Sequence, residues 1–403
     1  MSNTQKKNVP ELRFPGFEGE WEEKQLGEVA TFAKGKLGAK KDVSQNGVPI
    51  ILYGELYTKY GAIVSKIFSK TDIPENKLKM AKKNDVLIPS SGETAIDIAT
   101  ASCIYLNKGV AVGGDINILT PQKQDGRFIS LSINGINKNE LSKYAQGKTV
   151  VHLYNNDIKN LKIAFPSEFE EQVRIGNFFS KLDRQIELQE QKLELLQQQK
   201  KGYMQKIFSQ ELRFKDENGN DYPDWENSKI EKYLKERNER SDKGQMLSVT
   251  INSGIIKFSE LDRKDNSSKD KSNYKVVRKN DIAYNSMRMW QGASGKSNYN
   301  GIVSPAYTVL YPTQKTSSLF IGYKFKTHRM IHKFKINSQG LTSDTWNLKY
   351  KQLKNINIDI PVLEEQEKIG GFFKKMDILI SKQLIKINLL KQQKQAFLQK
   401  MFI

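Results

Sequence analysis

The sequence is poor in the residues from which sites of chemistry are usually built. It has one cysteine, Cys103, and three histidines in 403 residues. One thiol can form neither an intramolecular disulfide nor a cysteine-based zinc site, so Cys103 is expected to be a small buried apolar residue. His328 and His332 stand four apart, but Arg329 occupies the place where a zinc protease carries Glu, and no third ligand is evident; both are read as surface residues. His152 has no nucleophile partner that sequence can show. There is no Gly-x-Gly-x-x-Gly. None of the 11 prolines are adjacent, which excludes Asn-Pro-Pro-aromatic, the motif of amino-methyltransferases. Gly147-Lys148-Thr149 resembles the end of a phosphate-binding loop, but the earlier glycine that loop requires is Ser142. No apolar run reaches the ~18 residues of a membrane span, and the polar start from Met1 to Pro10 has no apolar core of a signal peptide. The expectation is a cytoplasmic chain without catalytic residues, metal or cofactor of its own.

Positive charge and repetition are abundant. Lys and Arg number 65 against 45 Asp and Glu, a net charge of +20 that favours a polyanion, with counterion release as the driving force. At 37% hydrophobic and 27% charged residues the chain is globular, and its length suits two or three domains. The stretch from Gln172 to Phe208 aligns without a gap with that from Gln366 to Phe402, a shift of 194 residues (366 minus 172). The segments before them, Asn160 to Pro166 and Asn355 to Pro361, alternate apolar and polar residues and predict strands closed by proline. Lys83-Asn-Asp-Val recurs as Lys279-Asn-Asp-Ile. Leu12-Arg-Phe, followed by Trp21, recurs as Leu212-Arg-Phe, followed by Trp225. One unit, a variable domain followed by a long helix, is therefore present twice.

Each helix carries apolar residues in alternating steps of four and three, the spacing of a heptad seam. The first seam runs through Ile175, Phe179, Leu182, Ile186, Leu193 and Leu196; the second through Ile369, Phe373, Met376, Ile380, Ile387 and Leu390. Polar interruptions coincide, Gln189 with Gln383 and Lys200 with Lys394. Two separate amphipathic helices, each lying on its own domain, would satisfy one seam. Two seams in matched register favour an intramolecular antiparallel pair, a rod of roughly 60 Å for about 40 residues, which would place the domains at opposite ends. Ser167 and Glu170 are spaced as a capping box for the first helix. The expected class is α+β: two mixed α/β domains separated by two long helices forming an antiparallel coiled coil with a pseudo-two-fold repeat. Its expected parts are residues 1–166, the first target-reading domain; 167–210, the first helix; 211–361, the second domain; and 362–403, the second helix.

Two heads on a rod suit two DNA half-sites, because a helical turn spans ~34–36 Å. In the first domain the loop Phe32-Ala-Lys-Gly-Lys-Leu-Gly-Ala-Lys-Lys41 offers Lys34, Lys36, Lys40 and Lys41 to phosphates, or is a solvated basic loop. A second loop, Pro89-Ser-Ser-Gly-Glu-Thr94, brings Ser90 and Ser91 after the strand Val86-Leu-Ile. Its counterpart is Tyr284-Asn-Ser-Met-Arg-Met-Trp-Gln291. There Arg288 suits guanine, and Asn285 or Gln291 suits adenine; Met289 and Trp290 read as packing residues. Lys296, Asn298 and Tyr299 extend the same polar, basic stretch.

Taken together, these features resemble the specificity subunit of a type I restriction–modification system. The likeness covers essentially the whole chain. It rests on the alternation of variable domain and long helix, and on Leu12 to Trp21. It rests most specifically on the helix entries, where Glu171-Gln172 and Glu365-Gln366 are followed by Ile175-Gly176-Asn-Phe-Phe179 and Ile369-Gly370-Gly-Phe-Phe373. Tyr284 to Ala293 is also similar to target-recognition domains of this family. The resemblance implies that each variable domain reads one half of a split, asymmetric double-stranded DNA target. It implies that the helices form the spacer and dock two methyltransferase (modification) subunits, which bind S-adenosylmethionine and methylate adenine. Restriction subunits with ATP- and Mg-dependent translocase and nuclease activity would complete the complex, and this chain would carry specificity alone.

Overall fold

A computed structural model describes residues 8–262, 264, 267 and 269–403. The chain divides into two compact units. One comprises residues 1–190 with 385–403, the other residues 191–384, so each holds one mixed α/β domain, the start of one long helix and the end of the other. The helices run Phe169–Phe208 and Leu363–Lys400. No helix among the described residues is long and apolar enough to cross a membrane.

In the first unit, two five-stranded sheets form the domain. One has the order Ala30–Lys34, Ile116–Pro121, Val86–Pro89, Ser102–Ile104, Ile63–Val64, antiparallel except for the last pair. The other runs Val43–Ser44, Ser69–Thr71, Val48–Ile51, Val110–Val112, Lys79–Ala81. The predicted closing strand is Lys162–Phe165, paired antiparallel with Glu22–Gln25. In the second unit a four-stranded sheet takes the order Leu234–Glu236, Tyr307–Pro312, Ile282–Asn285, Ser294–Lys296. The equivalent closing strand, Asn357–Ile360, pairs with Glu226–Lys229.

The repeated short motifs are the joints of this framework. In Lys-Asn-Asp the asparagine takes the left-handed conformation, at φ 79° for Asn84 and 75° for Asn280, which asparagine tolerates better than other side chains. The following aspartate accepts from the backbone three residues earlier: Lys82 N to Asp85 at 2.7 Å, Arg278 N to Asp281 at 2.8 Å. In Leu-Arg-Phe the leucine N–H caps the end of a long helix, Leu12 on Lys400 O at 2.8 Å and Leu212 on Lys206 O at 3.0 Å. The arginine then forks onto the glutamate of the helix entry. Arg13 holds buried Glu171 through two 2.7 Å bonds; Arg213 holds Glu365 at 3.2 and 2.7 Å, with Trp225 Nε1 as a further donor at 3.2 Å. The adjacent glutamine ties the helix to a loop of its domain, Gln172 accepting from Asp125 N at 3.1 Å and Gln366 from Ser317 N at 2.9 Å.

Helix packing follows within each unit. Phe178 meets Phe397, and Asp183 meets Lys394, in the first; Tyr203 meets Phe372, and Lys200 meets Asp377, in the second. As one helix advances its partner recedes, so the packing is antiparallel in both. Ile175 and Phe179 enter the core of the first domain beside Trp21, Phe128 and Phe402; Ile369, Phe373 and Met376 enter that of the second beside Phe208, Phe320 and Ile358. Leu182, Ile186 and Ile387 are buried, while Leu193, Leu196, Ile380 and Leu390 are half-buried. Cys103 is buried, as expected. The capping box is not formed as read. The first helix starts at Phe169, two residues beyond Ser167, and Ser167 holds no cap hydrogen bond among the described residues. The bonds of Glu171 and Gln172 to the domain fix the entry of the chain instead.

Candidate nucleic-acid interface

In the first domain, one end of the sheet that holds Ala30–Lys34, Ile116–Pro121 and Val86–Pro89 gathers two of the predicted loops. Asn117 stands in register between Lys34 on one neighbouring strand and Ile88 on the other. The strands that lead into the lysine loop and the Ser90–Ser91 loop therefore end side by side. Lys34 and Lys36 are exposed, and no ion pair engages either among the described residues. Gly35 is required where the chain crosses Gly113, because a Cβ there would lie 1.8 Å from its carbonyl oxygen. Lys40 and Lys41, also exposed, sit in a 3-10 turn that leads into the other sheet. The Ser90 hydroxyl is buried without a hydrogen-bond partner. Ser91 Oγ lies 3.1 Å from His152 Nδ1, and the His152 ring stacks on Tyr154 at 6.1 Å. Asn117 Nδ2 and Asn155 Nδ2 lace these loops together through Leu153 O at 2.8 Å and Ala33 O at 3.0 Å.

In the second domain the predicted residues fall into two groups. Asn285 ends its strand and turns the chain by accepting from Met287 N at 3.0 Å. Arg288 then precedes the 3-10 turn Met289–Gln291, which Gly292 closes at φ 85°. The side chains of Arg288 and Gln291 are half-buried and hold no hydrogen bond or ion pair among the described residues, leaving their donors available. Met289 is fully buried, and Trp290 packs edge-on against Trp346 at 5.3 Å. Lys326 pins this turn by donating to Gly292 O and to Ile251 O, and burial pulls its ammonium down to about 8. Lys296 pairs with Ile282, at the far end of the strand from Asn285. Its ammonium is turned onto Asn280 at 3.2 Å, Ser297 O at 3.3 Å and Asn298 at 2.9 Å, and burial lowers its pKa. Tyr299 packs into a small apolar cluster under Lys257. Lys296 and Tyr299 are thus apart from the Arg288 group.

The sequence reading passed over a further loop in each domain. Leu153 N donates to Ser90 O at 3.1 Å, and Leu348 N donates to Ser286 O at 2.9 Å, so each segment is fastened to the same point of the loop that holds the candidate residues. The signal available in the sequence was the repeated Gln146-Gly147 and Gln339-Gly340. His328 and His332 are exposed, and no cluster of His, Cys, Asp or Glu able to hold a metal occurs among the described residues.

Comparisons with known proteins show the family. The family described as the type I restriction modification DNA specificity domain matches residues 18–198 and again residues 222–389. The type I restriction enzyme MjaVIII specificity subunit of Methanocaldococcus jannaschii is 27% identical over 237 residues, 57% of this chain and 52% of the relative. The chain thus matches about half the length of that curated relative. In fold, the S subunit of a type I restriction–modification system from M. genitalium is similar with a TM-score of 0.61 at 16% identity, over 98% of this chain and 99% of that one. A chain from a structure on complex assembly and conformational transition of the type I R-M system is similar with a TM-score of 0.50 at 17% identity, over 96% and 98%. With both halves matched, the chain belongs to the type I restriction modification DNA specificity domain family and carries that domain twice.

Proposed function

We propose that this chain is the sequence-reading subunit of a type I restriction–modification complex. Each domain reads one half of a split, asymmetric DNA target, and the long helices set the unread gap between the halves. The observation that carries this reading is one framework offered twice with different side chains. The backbone at Ser90 and at Ser286 is held in the same way, while the residues displayed next to it differ: Ser91, Lys34 and Lys36 in one domain, Asn285, Arg288 and Gln291 in the other. A scaffold that holds position and varies chemistry is what two different half-sites require. Arg288, with unpaired donors, suits a guanine edge; Lys34 and Lys36 suit phosphates. Lys40 and Lys41 suit backbone contacts further out, and Lys296 and Tyr299 support their loop rather than read.

The partners are double-stranded DNA, two methyltransferase subunits on the helices, and restriction subunits. S-adenosylmethionine, ATP and magnesium act on those subunits, and this chain supplies specificity. The test is co-purification with the candidate methyltransferase, followed by methylation mapping on a random plasmid library with S-adenosylmethionine. Adenine methylation in one split motif, seen only when both proteins are present, is expected. Methylation that follows the methyltransferase alone, or a motif unchanged when the segments around Lys36 and Arg288 are exchanged, overturns the reading.

A further inference from the structure

Each domain carries a closed loop that exposes an apolar residue, and the two loops lie at the same place in the repeat. In the first domain Gln146 and His152 exchange both backbone hydrogen bonds, at 2.9 and 2.7 Å, around residues 147–151. In the second, Gln339 and Asn347 do the same at 3.0 and 2.8 Å around residues 340–346. Both loops begin on a left-handed glycine that nothing larger can replace. A Cβ on Gly147, at φ +121°, would lie 2.2 Å from Val150 O; one on Gly340, at φ +150°, would lie 2.6 Å from Thr345 O. Both end on a fully buried leucine, Leu153 or Leu348. Between these fixed points stand Val150, 51% exposed, and Leu341, 101% exposed.

A single exposed apolar side chain is ordinary on a protein surface. These two lie in repeat-equivalent loops of different length and sequence, each closed at its base by a backbone pair, so the same place in both domains offers an apolar side chain to solvent. The wall of each loop also touches the candidate reading segment. His152 Nδ1 meets Ser91 Oγ, and Trp346 meets the ring of Trp290. Exposed Lys148 stands on the first loop, and Lys335 lies over Trp346 on the second. The loops that carry Val150 and Leu341 are therefore packed against the segments that carry Ser91 and Arg288.

We infer that these two loops are a further DNA contact, each pressing its exposed apolar residue, Val150 or Leu341, against bases and sugars in a groove of the half-site its domain reads. Apolar side chains contact the thymine methyl or wedge at base steps in this way. The inference rests on the function proposed above.

The test uses the full chain with its methyltransferase partner and a randomised duplex pool, from which bound sequences are selected and affinities for the selected duplex are measured. Val150→Ala and Leu341→Ala remove solvent-exposed atoms, so melting temperatures should stay at the wild-type value. Each variant is expected to bind roughly tenfold more weakly, the scale of losing one buried aliphatic side chain. Each should also relax base preference in one half-site only, a different half for each variant, and Leu341→Met should restore binding. Affinity within about twofold of wild type with unchanged selection overturns the inference, as does loss of methyltransferase co-purification with DNA selection intact, which would make the two loops a protein contact. A wild-type complex that selects no sequence would instead overturn the proposed function.

Discussion

Lys200 on the first long helix donates to Asp377 on the second at 2.5 Å, and their equivalents under the 194-residue shift, Lys394 and Asp183, make the same bond, also at 2.5 Å. The lysines that interrupt both seams are thus one half of a reciprocal device, made twice by the repeat. A charge at a seam position costs stability unless it finds its partner, so the pair sets register more than it adds strength. Both pairs are partly exposed, at 27% and 42% for the first and 20% and 31% for the second, which limits their net contribution. A double-mutant cycle on Lys200→Met and Asp377→Ala should give a coupling of about 0.5 kcal/mol, within the range for exposed pairs. Exchanging the two charges should recover most of the loss of Lys200→Asp alone, as measured by chemical denaturation.

The forks at the helix entries should behave differently, because one member is buried. The Glu365 side chain is fully buried, while Arg213 keeps 21% exposure. Removing the arginine strands a buried carboxylate; removing the carboxylate lets the arginine turn to water. Arg213→Ala should therefore cost about 3 kcal/mol, near the lower end for breaking a buried pair. Glu365→Gln, which keeps an acceptor for Trp225 Nε1, should cost less. Equal losses in denaturant titrations would contradict this assignment.

These joints show where sequence reading works and where it stops. The duplication, the strands before Pro166 and Pro361 and the antiparallel helix pair were legible because they rest on period and on matched register. The reason for Leu-Arg-Phe was not, because Arg13 and Glu171 are 158 residues apart and no local rule joins them. Ser167 was read as a cap because capping is a local pattern, yet the bonds of Glu171 and Gln172 to the domain override it. Arg288 could be named as a candidate on chemistry alone. That Lys296 is turned inward onto Asn280 and Asn298 depends on how strands end, which spacing does not reveal. The Gln-Gly loops were passed over because Gly147-Lys148-Thr149 was judged only as a phosphate-binding motif.

Glycines within the long helices separate packing from propensity. A Cβ on Gly176 would lie 2.8 Å from Arg127 Nε. That arginine cannot swing aside, since Asp125 and Asn177 both hold it. Nothing lies within 4 Å of a Cβ on Gly202 or Gly371. Gly202→Ala and Gly371→Ala should each stabilise the chain by about 0.5–1 kcal/mol, the helix preference of alanine over glycine. Gly176→Ala should destabilise it, and thermal melting distinguishes the two directions.

Lys324 gives the chain a pH dependence of definite sign. Its side chain is buried over the rings of Trp225, at 4.8 Å, and Phe208, at 5.3 Å. Burial lowers its pKa from 10.5 to about 8; Asp359 opposes that shift, and Arg329 and Lys333 add to it. Below about pH 8 the lysine is charged in both folded and unfolded chains, and folding bears the full cost of burying it. Between about 8 and 10.5 the unfolded chain holds the proton and the folded one does not, so stability rises with pH through that window. The gain available from this one group is on the order of 3 kcal/mol. Lys326, also lowered to about 8, contributes in the same direction. Unfolding by denaturant should therefore show higher stability at pH 9.5 than at pH 7.5, both inside or beside the window those shifts define. Lys324→Met should be more stable than wild type at the lower pH and should show a shallower rise. A variant with the wild-type slope would mean that the Lys324 ammonium is hydrated in the folded chain rather than held against the two rings.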